Sequence, residues 1–202
     1  MAATRLDCRP LPSIPELQAL RAGDAVEISG ELLTVRDATA RRLFEGANEG
    51  QPLPVDLSGR LLYAVGPSPA KPGQVIGSAG PTTIERFTKY LPFLFDAGVR
   101  GVIGKGELHG PIVDAFTKAG VVYFAAIGGL GALLGKRVVE SEVVAFPELG
   151  PEAMFRLRVE SFPTVTIIDT TGRNYHDTAR DAWRGLASRN PGGGTPTLPE
   201  TE

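Results

Sequence analysis

Residues 76–87, IGSAGPTTIERF, gather two glycines, a proline, adjacent threonines and an arginine between two apolar segments. These are the parts of an anion-binding turn. The first N–H groups of a helix have no internal partner and favour an anion. Thr82 or Thr83 can cap such a helix, with Pro81 just ahead, while Gly77 and Gly80 leave the backbone open to close approach. Thr82 and Arg86 are four apart and can share one helix face, and an arginine grips a carboxylate through two parallel hydrogen bonds. The same residues also read as a capped helix with a solvated arginine, and spacing alone does not choose.

Two more loops carry cations. In IGKGELHG, Lys105 stands between two glycines after an apolar strand, where it either reaches into a pocket as a point charge or stays in a surface loop. Glu107 pairs with it or faces water, and His109 reads as a loop histidine. In LLTVRDATARRLF, Arg36 and Asp37 end a strand and open a helix, with Asp37 as the candidate N-cap beside an exposed arginine. Three cationic side chains at element ends, with glycines clearing space, point to a small dianion such as a dicarboxylate. GSAG and GGLGALLG do not match the dinucleotide fingerprint with its spaced acid, and no G-x-x-x-x-G-K-[ST] phosphate loop occurs.

The elements that must position these residues are legible from hydrophobic period. SIPELQAL reads as a short helix capped by Ser13, and GDAVEISGELLTVRD as strand, turn, strand punctuated at Gly30. LLYAVG, GVIG and VVYFAAI are short apolar strands, each leading into a glycine-rich loop and a helix. Ile84, Phe87, Tyr90 and Leu91 recur at helical spacing, with Pro92 kinking or ending that helix. Gly120 closes GPIVDAFTKAG. ESEVVAFPELG, AMFRLRVESF and TVTIIDTTG read as strands, and the pattern fades after Gly172. Apolar strands alternating with helices predict a largely parallel sheet, with ligands beyond the strands' carboxyl ends.

Composition narrows the partners. The 202 residues carry 21 basic and 23 acidic side chains, a net charge of −2, so no basic field draws nucleic acid or an anionic membrane. The apolar runs are too short to span a bilayer, and no signal-peptide pattern opens the chain, so a cytoplasmic location is expected. The single cysteine, Cys8, can form no internal disulfide and hold no iron–sulfur cluster; it reads as a small residue in a poorly ordered head. With two histidines and no tight His/Cys/Asp grouping, no intrinsic metal site is predicted.

GPSPAKPGQVIGSAGPTTIERF, GVIGKG and VYFAAIGGLGALL together resemble the β subunit of the iron–sulfur hydro-lyases, the class I fumarases and L(+)-tartrate dehydratases. The resemblance covers residues 12–178, leaving 1–11 as a flexible head and 179–202 as a Pro/Gly-rich tail. It implies an α/β fold, a swivelling β/β/α three-layer domain with a central largely parallel sheet. It implies reversible hydration of a small dicarboxylate, fumarate to (S)-malate or tartrate to oxaloacetate. It further implies a hetero-oligomer in which a cluster-bearing α subunit, not this chain, holds a [4Fe–4S] cluster. Carried over by position, Arg36, Thr83, Arg86 and Lys105 would bind substrate and Thr82 would be the catalytic base. A departure from the family's RDxAH-like motif is read at Thr39, taken to stand where the family commonly has histidine, and Ile84 and Phe87 stand where it often has a serine after TT and a methionine after the arginine. The alternative is a non-catalytic dicarboxylate-binding or regulatory module.

Overall fold

The computed structural model describes residues 3–9 and 11–189. Seven strands form one mixed sheet among them: β1 (Thr4–Cys8), β2 (Ala25–Val35), β3 (Leu61–Ala64), β4 (Gly101–Gly104), β5 (Val122–Ala125), β6 (Val138–Ala145) and β7 (Met154–Ile168). Their order is β1-β2-β3-β4-β5-β7-β6, with β2 also bonded to β7. The run β2-β3-β4-β5 is parallel, and β7 pairs antiparallel with both β5 and β2. The largely parallel α/β reading therefore stands, but the sheet is not an open central layer. β7 closes five strands into a barrel, leaving β1 and β6 as outer extensions.

Two strand readings need correction, for one physical reason. Gly30 does not end a strand; β2 runs straight through it, and β7 is one strand of 15 residues rather than two. Opposite Ile28 and Gly30 the register slips, and Ser161 takes a φ of 46°. A bulge bends a strand and raises its local twist, which long strands need if they are to wrap a small barrel. The Ser29 hydroxyl accepts the Ser161 N–H at 3.0 Å, so a side chain supplies a partner at the slip.

Side-chain alternation builds two cores. Leu61, Tyr63, Val65, Ile103, Val122, Phe124, Leu157 and Phe162 fill the barrel with help from β1 and the helices α1 (Ile14–Ala19) and α5 (Gly131–Gly135). Their neighbours Leu62, Ala64, Val102 and Tyr123 point the other way. They pack beneath α2 (Asp37–Asn48), α3 (Leu91–Asp96) and α4 (Pro111–Ala119). Both faces of β3 and β4 are thus buried, which explains why these strands read as unbroken apolar runs.

The ends of the chain also differ from expectation. Residues 4–8 are not a loose head: they pair parallel with Val26–Gly30, with Leu6 and Cys8 buried. Pattern loss after Gly172 does not mark the end of structure, because α6 (Tyr175–Arg189) crosses the expected boundary at 178. Most of the Pro/Gly-rich tail lies outside the described residues. Pro92 starts a helix rather than ending one: Ile84–Tyr90 is a 3₁₀ segment, and α3 begins at Leu91 with proline in its first turn, where a missing N–H costs nothing. Among the described residues no helix is long and apolar enough to cross a membrane.

Candidate active site

Because β2, β3 and β4 are parallel, their carboxyl ends open on one edge. The chain leaves that edge through Arg36, Gly66 and Lys105, which follow the three strands in turn. The TT segment is sewn across the same edge. The Thr82 N–H donates to the Ala64 carbonyl at 2.7 Å, and the Lys105 N–H donates to the Thr82 carbonyl at 3.1 Å. The Ile84 N–H in turn donates to the Lys105 carbonyl at 3.1 Å, and Thr83 bridges Lys105 in the parallel sense. Thr82, Thr83 and Lys105 are therefore held side by side by backbone bonds that do not depend on their side chains.

This lacing corrects the anion-turn reading. The N–H groups of Thr82 and Ile84 are spent on carbonyls, and Thr83, the N-cap of the 3₁₀ segment, makes no capping bond with its side chain. Thr82 precedes the helix, so it shares no helix face with Arg86. The glycines serve packing more than ligand approach. Gly77 and Gly80 lie against Gly135 and Gly131 of α5, where any Cβ on either α5 glycine would meet their backbone. The Thr82 and Ile84 amides are therefore not open to an anion.

Two tyrosines pin the loops that carry those side chains. The Tyr63 hydroxyl, inside the barrel, donates to the Ala79 carbonyl just before the TT segment. Tyr123 donates to the Gly106 carbonyl at 2.9 Å, one residue past Lys105. Burial pushes both phenols well above their ordinary range, so they remain donors at any physiological pH. Lys105 itself is exposed, and its stem runs past Gly128 in the loop after β5.

Arg36, not Asp37, occupies the N-cap position of α2, and Asp37 is the first helical residue. One side of the guanidinium lies against Gly66, where a Cβ would sit 2.6 Å from Nη1 and 2.8 Å from Cδ. On the other side, Nη2 faces the Glu152 carboxylate at 3.4 Å. The second oxygen of Glu152 accepts the Ala38 N–H at 3.0 Å, and its backbone carbonyl takes the Thr39 hydroxyl. Arg36 Nε is buried with no partner, as is one oxygen of Asp37. Arg86 is exposed in a cleft of about 360 Å³ lined also by Asp37, Arg41, Lys89, Tyr90 and Glu152. In that cleft three cations face two carboxylates, an excess suited to an incoming anion.

Glu152 and Gly66 were not readable as site residues. Glu152 reaches Ala38 across 114 positions, and only the closing of the barrel by β7 brings it there. Gly66 sits in the recognised strand-to-glycine-proline ending, yet nothing in that string names the arginine it makes room for. Two clefts of about 410 Å³ flank the 67–78 loop, and none of the five predicted residues lines either. Glu107 pairs with His109 at 3.0 Å and Arg180 at 3.2 Å, not with Lys105.

The chain's own residues do not fit an iron–sulfur cluster. Cys8 is fully buried beneath the backbone of Gly30, and burial, with Asp7 and Glu16 nearby, pushes its thiol up to about 12. Among the described residues no three His, Cys, Asp or Glu side chains gather in a metal-binding group.

The sequence matches the Fumarase C-terminus family over residues 5–179. This chain belongs to that family. The fumarase C-terminus domain described here is 32% identical over 177 residues to the aerobic class I fumarate hydratase of Escherichia coli K12, covering 86% of this chain and 32% of that protein. Fumarate hydratase 2 of Leishmania major is 32% identical over 171 residues, 83% of this chain and 30% of that one. A Methanocaldococcus jannaschii protein named "Putative L(+)-tartrate dehydratase subunit beta" is 33% identical over 168 residues, 80% of this chain and 86% of its own length. The chain thus spans about a third of the fumarate hydratases and most of the separate β subunit.

Proposed function

We propose that this chain is the β-type part of an iron–sulfur hydro-lyase that reversibly hydrates a small dicarboxylate, fumarate to (S)-malate foremost and tartrate dehydration second. The observation that carries this reading is the assembly of Arg36, Thr82, Thr83 and Lys105 on one strand edge, with Arg86 in a cleft lined by Glu152, the residue that faces Arg36. The domain is read as the swivelling β/β/α unit: two walls of the closed sheet with a helical layer outside. A cluster-bearing α subunit completes the site and holds the [4Fe–4S] group, in line with the β-subunit name of the archaeal relative. A cytoplasmic hetero-oligomer belongs to the same proposal, since one cysteine cannot hold the cluster and a partner must.

In this reading Arg36 and Arg86 grip substrate carboxylates, Lys105 adds a point charge, and Thr83 helps hold the substrate. Dehydration removes a proton from the carbon beside a carboxylate, which leaves extra negative charge on that carboxylate. Fixed cations stabilise such charge most where water is excluded. Thr82 is the assigned base, and its alkoxide needs the same cations, because a hydroxyl is a weak base without them.

Anaerobic co-expression with an α-type subunit, followed by assay against fumarate, tartrate and mesaconate, tests the proposal. Turnover of any of them supports it. A second reading is a non-catalytic dicarboxylate-binding module, favoured because no histidine completes the RDxAH-like motif: Thr39 is buried on the Glu152 carbonyl and Ala40 is packed in the core. A chain that binds malate alone yet never turns it over would support that reading. No binding and no turnover would sink both.

A further inference from the structure

The contact that the reaction scheme leaves unused is the one between Arg36 and Glu152. The guanidinium is boxed on its Cδ–Nη1 side by Gly66, so its opposite side, Nε and Nη2, is the one that can fork onto a carboxylate. Glu152 engages only half of that fork. One of its oxygens stands 3.4 Å from Nη2, and the other is turned away to the Ala38 N–H. Nε is left buried and unpartnered, an unusual state for a charged donor. Glu152 is also anchored from behind by the Thr39 hydroxyl on its carbonyl, so it cannot drift with the arginine.

We propose that Glu152 is a positioning residue that holds Arg36 in its substrate-gripping rotamer through a single contact to Nη2. The inference rests on the hydro-lyase reading of Arg36. Glu152 never touches the reacting atoms. It acts through Arg36 by fixing Nη2, and it ties the start of α2 to the segment that leads into β7. Without its charge the guanidinium keeps its steric wall at Gly66 but loses the partner that sets its tilt.

The test is a double-mutant cycle in the co-expressed complex. Glu152→Gln keeps the side chain's shape and an oxygen for the Ala38 N–H, so the fold is retained. The expected result is a five- to tenfold rise in KM for the dicarboxylate with kcat within twofold, and recovery of most of the loss in Glu152→Asp. In an Arg36→Ala background the same Glu152→Gln change is expected to leave KM where Arg36→Ala put it. A KM that is unchanged or lowered in Glu152→Gln overturns the proposal, since Glu152 would then only cap α2 or compete for the arginine. An equal rise in KM in both backgrounds overturns it too. A wild-type complex that turns over dicarboxylates while Glu152→Gln behaves normally refutes the role of Glu152 alone. A wild-type complex with neither turnover nor calorimetric binding of succinate refutes the site reading and Glu152 with it.

Discussion

Gly66→Ala puts the placement of Arg36 to the sharpest test. The residue is not in the left-handed region, so alanine meets no backbone penalty, and the whole effect is steric. The new methyl would lie 2.6 Å from Arg36 Nη1, 2.8 Å from its Cδ and 3.1 Å from the Pro151 carbonyl oxygen. Comfortable non-bonded separations start at about 3.5 Å, so the guanidinium must retreat by about 1 Å. Retreat toward Glu152 is limited, because Nη2 is already 3.4 Å away and the Pro151 backbone flanks the same space. A misplacement of about 1 Å in a binding group can lower turnover by about a hundredfold, and overpacking costs about 1–3 kcal/mol. The expected outcome is a kcat/KM reduced ten- to a hundredfold in the complex. A Tm loss of about 2–4 °C per kcal/mol accompanies it if backbone rather than side chain gives way. Steady-state kinetics on fumarate and differential scanning fluorimetry read the two effects separately. A kcat/KM within twofold of wild type would show that Arg36 is free to move without consequence, and its role in gripping substrate would fall.

Thr82→Ala is expected to remove turnover by at least a hundredfold while dicarboxylate binding changes less than threefold, because backbone bonds to Ala64 and Lys105 hold the segment whatever its side chain; a kinetic comparison with calorimetric binding checks it. Cys8 is fully buried with its thiol pushed up to about 12, so iodoacetamide at pH 8 should leave the native chain unlabelled for hours and modify it fully in denaturant; prompt labelling of the folded protein would contradict its place in β1. Asp169 is a buried carboxylate. Desolvation acts to raise its pKa, but bonds from the Thr171 hydroxyl at 2.6 Å and from the N–H groups of Ala22, Thr171 and Arg173 outweigh it and hold the value below the ordinary carboxylate range. A depressed folded pKa stabilises above the unfolded value and is lost as pH falls through the folded one. Asp169→Asn should therefore cost about 1.5–3 kcal/mol at pH 7, and urea titrations should show the gap to wild type closing below about pH 4.

Local chemistry made most elements legible. Ser13 reads as the cap of α1, and the structure forms that bond, with Glu16 accepting the Ser13 N–H in return as a capping box. Gly120, at a φ of 62°, ends α4 in the left-handed conformation that glycine there implied. The apolar strands β3, β4 and β5 were readable because both of their faces are buried. What local pattern could not supply was long-range. The register slip at Ser161 and the passage of β2 through Gly30 depend on partners over a hundred residues away, and the order in residues 4–8 depends on pairing with Val26–Gly30. Arg36 and Lys105 stood out as cations at strand ends, whereas Glu152 looked like any acid in a Pro/Gly-marked turn. Its meaning came only from what it faces.

The closure of the barrel explains why Arg36 and Glu152 are neighbours at all. β2 ends at Val35, one residue before Arg36, and β7 begins at Met154, two residues after Glu152. The two strands run antiparallel with Leu33 opposite Arg156, so the end of one and the start of the other share the sheet edge where β3 and β4 also end. Any residue just beyond the end of β2 must then meet one just ahead of β7. An open parallel sheet would give Arg36 only the loops after β3 and β4 as company, and the one acid there, Glu107, is paired with His109 and Arg180. The antiparallel strand that shuts the barrel is what delivers a carboxylate to the arginine. With Gly66 on the opposite side, a flexible side chain is pinned from two directions by backbone-fixed elements. The placement of the Arg36 side chain is therefore a property of the strand topology.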